Sequence, residues 1–118
     1  RRKCCFRQRK CGRMSMELIS SGTFDAWLEQ GHYLLLDLRS QSAYQAGHIA
    51  DARNLPWPVS TRQLQSLPRI EPVLVYCEHG GNSISVCRRL AAWGWQTKSL
   101  VGGIAAYHGK YLHSAKMH

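Results

Sequence analysis

Two stretches of the chain are apolar almost without a break: "YLLLDLR" at 33–39 and "PVLVYC" at 72–77. A half-exposed strand would alternate, so runs like these read as strands buried on both faces. Around them hydrophobic residues recur at helical spacing. Phe24, Trp27 and Leu28 predict a helix through "TFDAWLEQ", capped by Ser20 or Ser21 and closed by Gly31. Ile84, Cys87, Leu90 and Ala91 form one stripe of a second helix in "SISVCRRLAAWGW", with Gly94 able to end it. "SQSAYQAG" (40–47) suits one or two helical turns, and "STRQLQSL" (60–67) a short helix stopped by Pro68. "MELIS" (16–20) and "QTKSLV" (96–101) read as further strands. "ARNLPWP" (52–58) reads as extended, because residues before proline leave the α region. "GGIAAYHGKYLH" (102–113) reads as a final helix.

Strands alternating with helices predict an α/β fold: a small parallel sheet with helices on both faces. In such sheets ligands sit beyond the carboxyl ends of the strands. Asp37 and Cys77 both fall at such ends.

Charge then divides the chain. Of sixteen Lys and Arg, seven lie in residues 1–13 (RRKCCFRQRKCGR), which hold no acid; nine basic and seven acidic residues remain beyond them. The expected organisation is a basic, cysteine-containing tail over 1–15 and one domain over 16–115. Because the domain is nearly balanced, nucleic acid is not an expected partner. The tail has two readings. One is a solvated, disordered leader ahead of a start at Met14 or Met16. The other is a juxtamembrane segment whose basic residues, with Cys4 and Cys5, suit an anionic leaflet and S-acylation. Membrane contact is expected only there, since the apolar runs are too short to span a bilayer. Five cysteines without a disulfide-like spacing point to free thiols and a reducing, cytoplasmic location. Cys4, Cys5 and Cys11 lack a second pair at ligand spacing, so no metal or cofactor is expected.

The stretch "VLVYCEHGGNS" (73–83) carries the chemistry. A strand ending in Cys77 and feeding a helix near Ser83 puts the sulfur at the positive end of the helix dipole. Gly80 and Gly81 let successive backbone N–H groups turn toward one point, an anion-binding nest. His79 and Ser83 can add side-chain donors. A thiolate or persulfide suits that concavity. Spacing alone leaves a nucleophile and a buried, inert thiol both open.

The chain resembles the single-domain rhodanese-like sulfurtransferases. The family's first signature appears in "LDLRSQSAYQAGHIADARNLP", with Asp37, Arg39, Tyr44, Gly47, His48, Ile49, Ala52, Asn54 and Pro56 in order, and Leu55 in place of Ile. Its active loop, Cys-x-x-Gly-x-Arg followed by Ser or Ala, appears as Cys77, Gly80, Asn82 and Ser83; its closing Gly-Gly motif appears as Gly102–Gly103. The resemblance covers about residues 16–115 and implies a rhodanese-like fold. It implies Cys77 as a nucleophile that takes a sulfane sulfur from thiosulfate or a persulfide or polysulfide donor. The persulfide then yields that sulfur to a thiophilic acceptor, cyanide or a thiol. Glu78, His79, Gly80, Gly81, Asn82, Ser83 and Arg39 are the implied substrate-binding residues. The implied partners are a small sulfur-containing substrate or a thiol or persulfide on another protein.

Two departures bear on substrate. Asn82 stands where many members carry Arg, and Glu78 adds a negative charge at the mouth. Both should weaken binding of the thiosulfate dianion, with Arg39, Arg88 or Arg89 as partial compensation. An alternative is therefore a rhodanese-like binding or sulfur-sensing module with little turnover. Related phosphatases use Cys-x5-Arg; here the sixth residue after Cys77 is Ser83, which argues against phosphate chemistry. Asp37 and His48 are expected to be structural, Cys87 a small buried hydrophobe, and Trp57 a residue of the mouth or the packing. Asp51 replaces a common Gly and should affect a turn.

Overall fold

The computed structural model describes residues 15–114. Expectations for residues 1–14 and for Ala115 fall outside them. Five strands form a parallel sheet: β1 (Ser15–Ile19), β2 (Leu34–Asp37), β4 (Arg53–Asn54), β5 (Val73–Tyr76) and β6 (Gln96–Leu100). Their order across the sheet is β1-β6-β5-β2-β4. A separate antiparallel pair joins β3 (Gly47–Ile49) to β7 (Leu112–Ser114), with His48 opposite His113.

The uninterrupted apolar runs are explained by two cores. Leu34, Leu36 and Leu38 point to one face of the sheet with Val73, Val75 and Cys77; they pack under α3 (Thr61–Gln65) and α4 (Gly81–Ala92) through Leu64, Val86, Cys87 and Leu90. Leu35, Leu74 and Tyr76 point to the other face, against Phe24 and Leu28 of α1 (Ser21–Gln30). Every residue of β2 and β5 is buried. The period-two alternation of a strand thus sends Tyr76 and Cys77, adjacent in sequence, into opposite halves of the molecule.

Helix ends follow the local chemistry. The Ser20 hydroxyl accepts from Thr23 N–H at the start of α1, and Gly31 ends it in the left-handed region (φ 81°). The Ser40 hydroxyl caps α2 (Gln41–Ala46), and Ser60 with Gln63 forms a reciprocal capping box on α3. Helix α4 starts at Gly81, two residues ahead of Ser83, and buries Val86 rather than Ile84 beside Cys87, Leu90 and Ala91.

The expected final helix over 102–113 does not form. Only one 3-10 turn, Ile104–Ala106, is helical, and the chain then runs on to β7. Gly102 and Gly103 are both at positive φ (75° and 66°), which is incompatible with continuing a helix. Further on, the buried Asp25 carboxylate pulls the backbone aside: it accepts from Tyr107 Oη at 2.5 Å and from Lys110 N–H at 3.0 Å. Gly47, His48 and Ile49, which follow the short helix at 41–46, form β3, the partner of that diverted end.

Candidate active site

From β2 the chain moves outward to β4, and from β5 it moves the other way to β6. The two central strands therefore diverge at their carboxyl ends, which opens a crevice there. Asp37 ends one of them and Cys77 follows the other.

Asp37 is fully buried and fully engaged. Its Oδ1 accepts from Arg39 N–H (2.8 Å) and Arg39 Nε (3.2 Å), and its Oδ2 from Arg39 Nη2 (2.8 Å) and Tyr76 Oη (2.6 Å). A buried carboxylate is tolerated because its lone pairs are filled and its charge is matched. Arg39 Nη2 also donates to Gly47 O at 2.6 Å. Burial works against the Arg39 charge, but the hydrogen bonds and charge of Asp37 outweigh it and hold the guanidinium above its ordinary pKa. Burial, then the hydrogen bond and charge of Asp37, push the Tyr76 phenol well up. Asn54 Nδ2 ties the turn by donating to Asp37 O and Arg39 O. His48 Nδ1 lies 2.8 Å from Tyr44 O. The signature residues of the first half thus brace one another around Asp37.

Across the crevice the loop after β5 wraps the Cys77 sulfur. Gly80 N–H donates to Sγ at 3.1 Å and Ser83 N–H at 3.4 Å. The Ser83 hydroxyl lies 3.6 Å from Sγ, 3.1 Å from Gly80 O and 2.8 Å from the Ser99 hydroxyl. Gly80 reaches this geometry at φ 107°, which the absence of a side chain permits. The loop is clamped from outside: Ile104 N–H donates to Cys77 O (2.9 Å) and Ala105 N–H to Glu78 O (3.0 Å).

Cys77 is 4% exposed and sits at the floor of a cleft of about 290 Å³. Glu78 and Asn82 line the cleft from the loop, Arg39 and Ala43 from the opposite side, and Trp57 stands at the rim. Of the expected substrate-binding residues, Glu78, Asn82 and Arg39 therefore line it. Gly80 and Ser83 contact the sulfur from behind. His79, Gly81 and Arg88 are exposed and outside the lining; half-buried Arg89 is outside it too and donates to Val59 O and Thr61 Oγ1. Arg39 is no free cation, being paired with Asp37 and 10% exposed in its side chain. Cys87 is completely buried, and burial pushes its thiol up to about 12.

Sequence reading missed two contributors. Ser99 lies in a strand whose sequence, "QTKSL", buries Thr97, Lys98 and Ser99. Polar residues in a covered strand each need a partner, and that was the available signal. Tyr76 lies inside the apolar run at 72–77, where nothing local marks its hydroxyl as a partner of Asp37.

Comparison with known proteins fits this geometry. The sequence model of the rhodanese-like domain matches residues 20–110. The chain belongs to the rhodanese-like family. It is 33% identical over 86 residues to the thiosulfate sulfurtransferase GlpE of Coxiella burnetii, spanning 70% of this chain and 80% of that one. It is 33% identical over 79 residues to a sulfurtransferase of Allochromatium vinosum, spanning 64% and 74%. A rhodanese homolog of Thermus thermophilus superposes with a TM-score of 0.63 at 30% identity, over 77% of this chain and all of that one. The fold of a rhodanese-like domain protein from Staphylococcus aureus gives a TM-score of 0.70 over 84% and 98%. Among the described residues of this rhodanese-like domain, no helix is long and apolar enough to cross a membrane. No group of three or more potential metal ligands occurs among them.

Proposed function

We propose that this rhodanese-like domain is a sulfurtransferase that carries sulfane sulfur as a Cys77 persulfide. The observation that carries this reading is the pair of amides, Gly80 N–H and Ser83 N–H, directed at Sγ on the floor of an open cleft. Donors fixed in advance around a sulfur stabilise negative charge there without reorganising. In the first step the Cys77 thiolate attacks the outer sulfur of a donor such as thiosulfate. The donor's S–S bond breaks and sulfite leaves with the electron pair. In the second step a thiophilic acceptor takes the outer sulfur and Cys77 regains its thiolate. Ping-pong kinetics follow from this order.

Thiosulfate is expected to be a modest donor, with a persulfide or polysulfide preferred. Arg39 and Glu78 are the charged residues lining the cleft, and Asp37 already neutralises Arg39. The same observation favours the second reading, a sulfur-sensing module with slow turnover. Exposure to thiosulfate or polysulfide should add the mass of one sulfur atom to the intact protein, and Cys77→Ser should abolish the gain. Discharge to cyanide or a thiol at a catalytic rate separates enzyme from sensor. Glu78→Gln should lower the KM for thiosulfate at low salt; no change would remove the electrostatic explanation. The working location consistent with a free thiol nucleophile is the reducing cytoplasm. The working partners are small sulfur compounds or a partner thiol, with no part for nucleic acid.

A further inference from the structure

Among the cleft-lining residues, the charge of the outer cleft rests on Glu78. Its carboxylate is exposed and forms no ion pair among the described residues. Arg39, opposite, has Nε and Nη2 turned to Asp37 and to Gly47 O. A guanidinium and a carboxylate in contact cancel at the distance of a substrate, so the outer field of the lining is negative. The remaining walls are apolar or neutral: Leu38, Ala43, Trp57, Ser40 and the Asn82 amide. The two amides that would welcome an anion are turned to Sγ at the floor. The cleft thus accepts negative charge at its bottom and disfavours it at its mouth.

Resting on the sulfur-transfer reading above, we propose that the acceptor is a small aminothiol, a thiol whose ammonium group lies at the mouth beside Glu78, and that Glu78 is the residue setting this charge preference. The thiol enters with its sulfur toward the floor and its methylene body against Leu38, Ala43 and Trp57. It attacks the outer sulfur of the Cys77 persulfide. A bond forms between acceptor sulfur and outer sulfur, and the bond between outer sulfur and Sγ breaks. Its electron pair stays on Sγ, which becomes a thiolate held by Gly80 and Ser83. The acceptor leaves as a persulfide with the proton its own thiol brought, so no further oxidant or reductant enters. Ammonium at the mouth stabilises the approach, whereas a carboxylate there opposes Glu78 directly.

The test uses the full chain in two arms. In the first, the protein is loaded with sulfur from polysulfide, loading is verified by intact mass, and single-turnover discharge is followed with 2-aminoethanethiol, 2-mercaptoethanol and mercaptoacetate. Rates are compared per thiolate present. The aminothiol should exceed mercaptoacetate by about tenfold at low salt, with the neutral thiol between them. That spread should shrink severalfold in Glu78→Gln and in about 1 M salt. In the second arm, sulfur-free protein is treated with aminoethyl and sulfonatoethyl methanethiosulfonate, and modification of Cys77 is read by peptide mass. The cationic reagent should react faster by a similar factor, again through Glu78.

Loading without a charge preference, or a preference unchanged in Glu78→Gln, overturns the aminothiol proposal and leaves sulfur transfer standing. Failure to load Cys77 overturns sulfur transfer, and the acceptor role falls with it even where the second arm shows the charge preference.

Discussion

The hydroxyls of Ser83 and Ser99 lie 2.8 Å apart behind the Cys77 sulfur, both completely buried. With Cys77 as a thiol, Sγ–H and the Ser99 hydroxyl can both donate to Ser83 Oγ, while Ser83 donates to Gly80 O. Once the sulfur is an anion, the Ser83 proton can turn to Sγ. Gly80 O is not orphaned by that turn, because Ile84 N–H also donates to it at 3.3 Å. Ser99 thus holds Ser83 in a position from which it serves either state. A hydrogen bond to a charged group contributes about 1.5–3 kcal/mol.

Ser83→Ala is therefore expected to slow sulfur loading of Cys77 at neutral pH by roughly tenfold or more. Ser99→Ala, which leaves the Ser83 hydroxyl in place, should slow it by a smaller factor, and Ser99→Thr should restore part of the loss. Stopped-flow loading rates at fixed pH, set beside thermal melts, separate positioning of the sulfur from loss of fold. A Ser99→Ala variant that melts lower but loads at the normal rate would assign Ser99 to packing alone.

Cys87 tests whether a second thiol takes part. It is completely buried on α4 and its thiol is pushed up to about 12, by burial first. In the folded protein at neutral pH it should resist iodoacetamide while Cys77 reacts, and it should react only on unfolding. Cys87→Ala should cost about 1 kcal/mol through a small cavity and leave sulfur loading unchanged. Loss of loading in that variant would give Cys87 a chemical part.

What could be read in advance follows from which forces are local. The runs at 33–39 and 72–77 announce strands covered on both faces, and Ser20, Gly31, Ser40 and Ser60 mark helix ends, because burial and capping act over a few residues. Cys77 with Gly80 and Ser83 is a contiguous motif, so the turn of the loop toward the sulfur was legible, although the second amide comes from Ser83 and not from the adjacent Gly81. The end of the chain was not. Its helix-like spacing yields to Asp25, 82 residues away from Tyr107 in sequence, and no local pattern reports that contact. The neutralised state of Arg39 needed Tyr76, 39 residues from Asp37, to complete the carboxylate's surroundings.

The Tyr76–Asp37 contact should also appear in the pH dependence of stability. Burial, then Asp37, raises the folded Tyr76 phenol above its ordinary value near 10. A raised folded value means the folded protein holds the proton more tightly. The stabilisation is complete below about pH 10 and is lost as the pH climbs above it. Tyr107, raised by burial and by its hydrogen bond to Asp25, acts with the same sign. Urea unfolding near pH 8 and above pH 10 should show stability falling into alkali. Tyr76→Phe should lower neutral stability by about 1–3 kcal/mol, since Ile49 N–H and Asp37 Oδ2 each lose a partner. The same variant should flatten the alkaline fall without abolishing it. An unchanged alkaline slope in Tyr76→Phe would show that other groups carry the dependence.

Gly103 and Gly81 should behave oppositely although both border the active loop. A Cβ on Gly103 would lie 2.4 Å from Glu78 O and 2.5 Å from Cys77 O, at φ 66°. Those carbonyls belong to the backbone that presents Sγ, and they already accept from Ala105 and Ile104. Gly103→Ala must therefore push the loop off its clamp or distort the turn, at a cost of roughly 2–4 kcal/mol from strain and overpacking. Sulfur loading should fall with it, because the Gly80 and Ser83 amides are carried on the displaced loop. A Cβ on Gly81 meets nothing within 4 Å, and that residue opens α4 at ordinary helical φ. Gly81→Ala should be neutral or stabilising by about 0.4–1 kcal/mol, by restricting the unfolded chain, and loading should persist. Melting temperature and intact mass after polysulfide treatment, measured on both variants, check the pair. Normal loading in Gly103→Ala would mean that the loop holds its amides on the sulfur without the clamp.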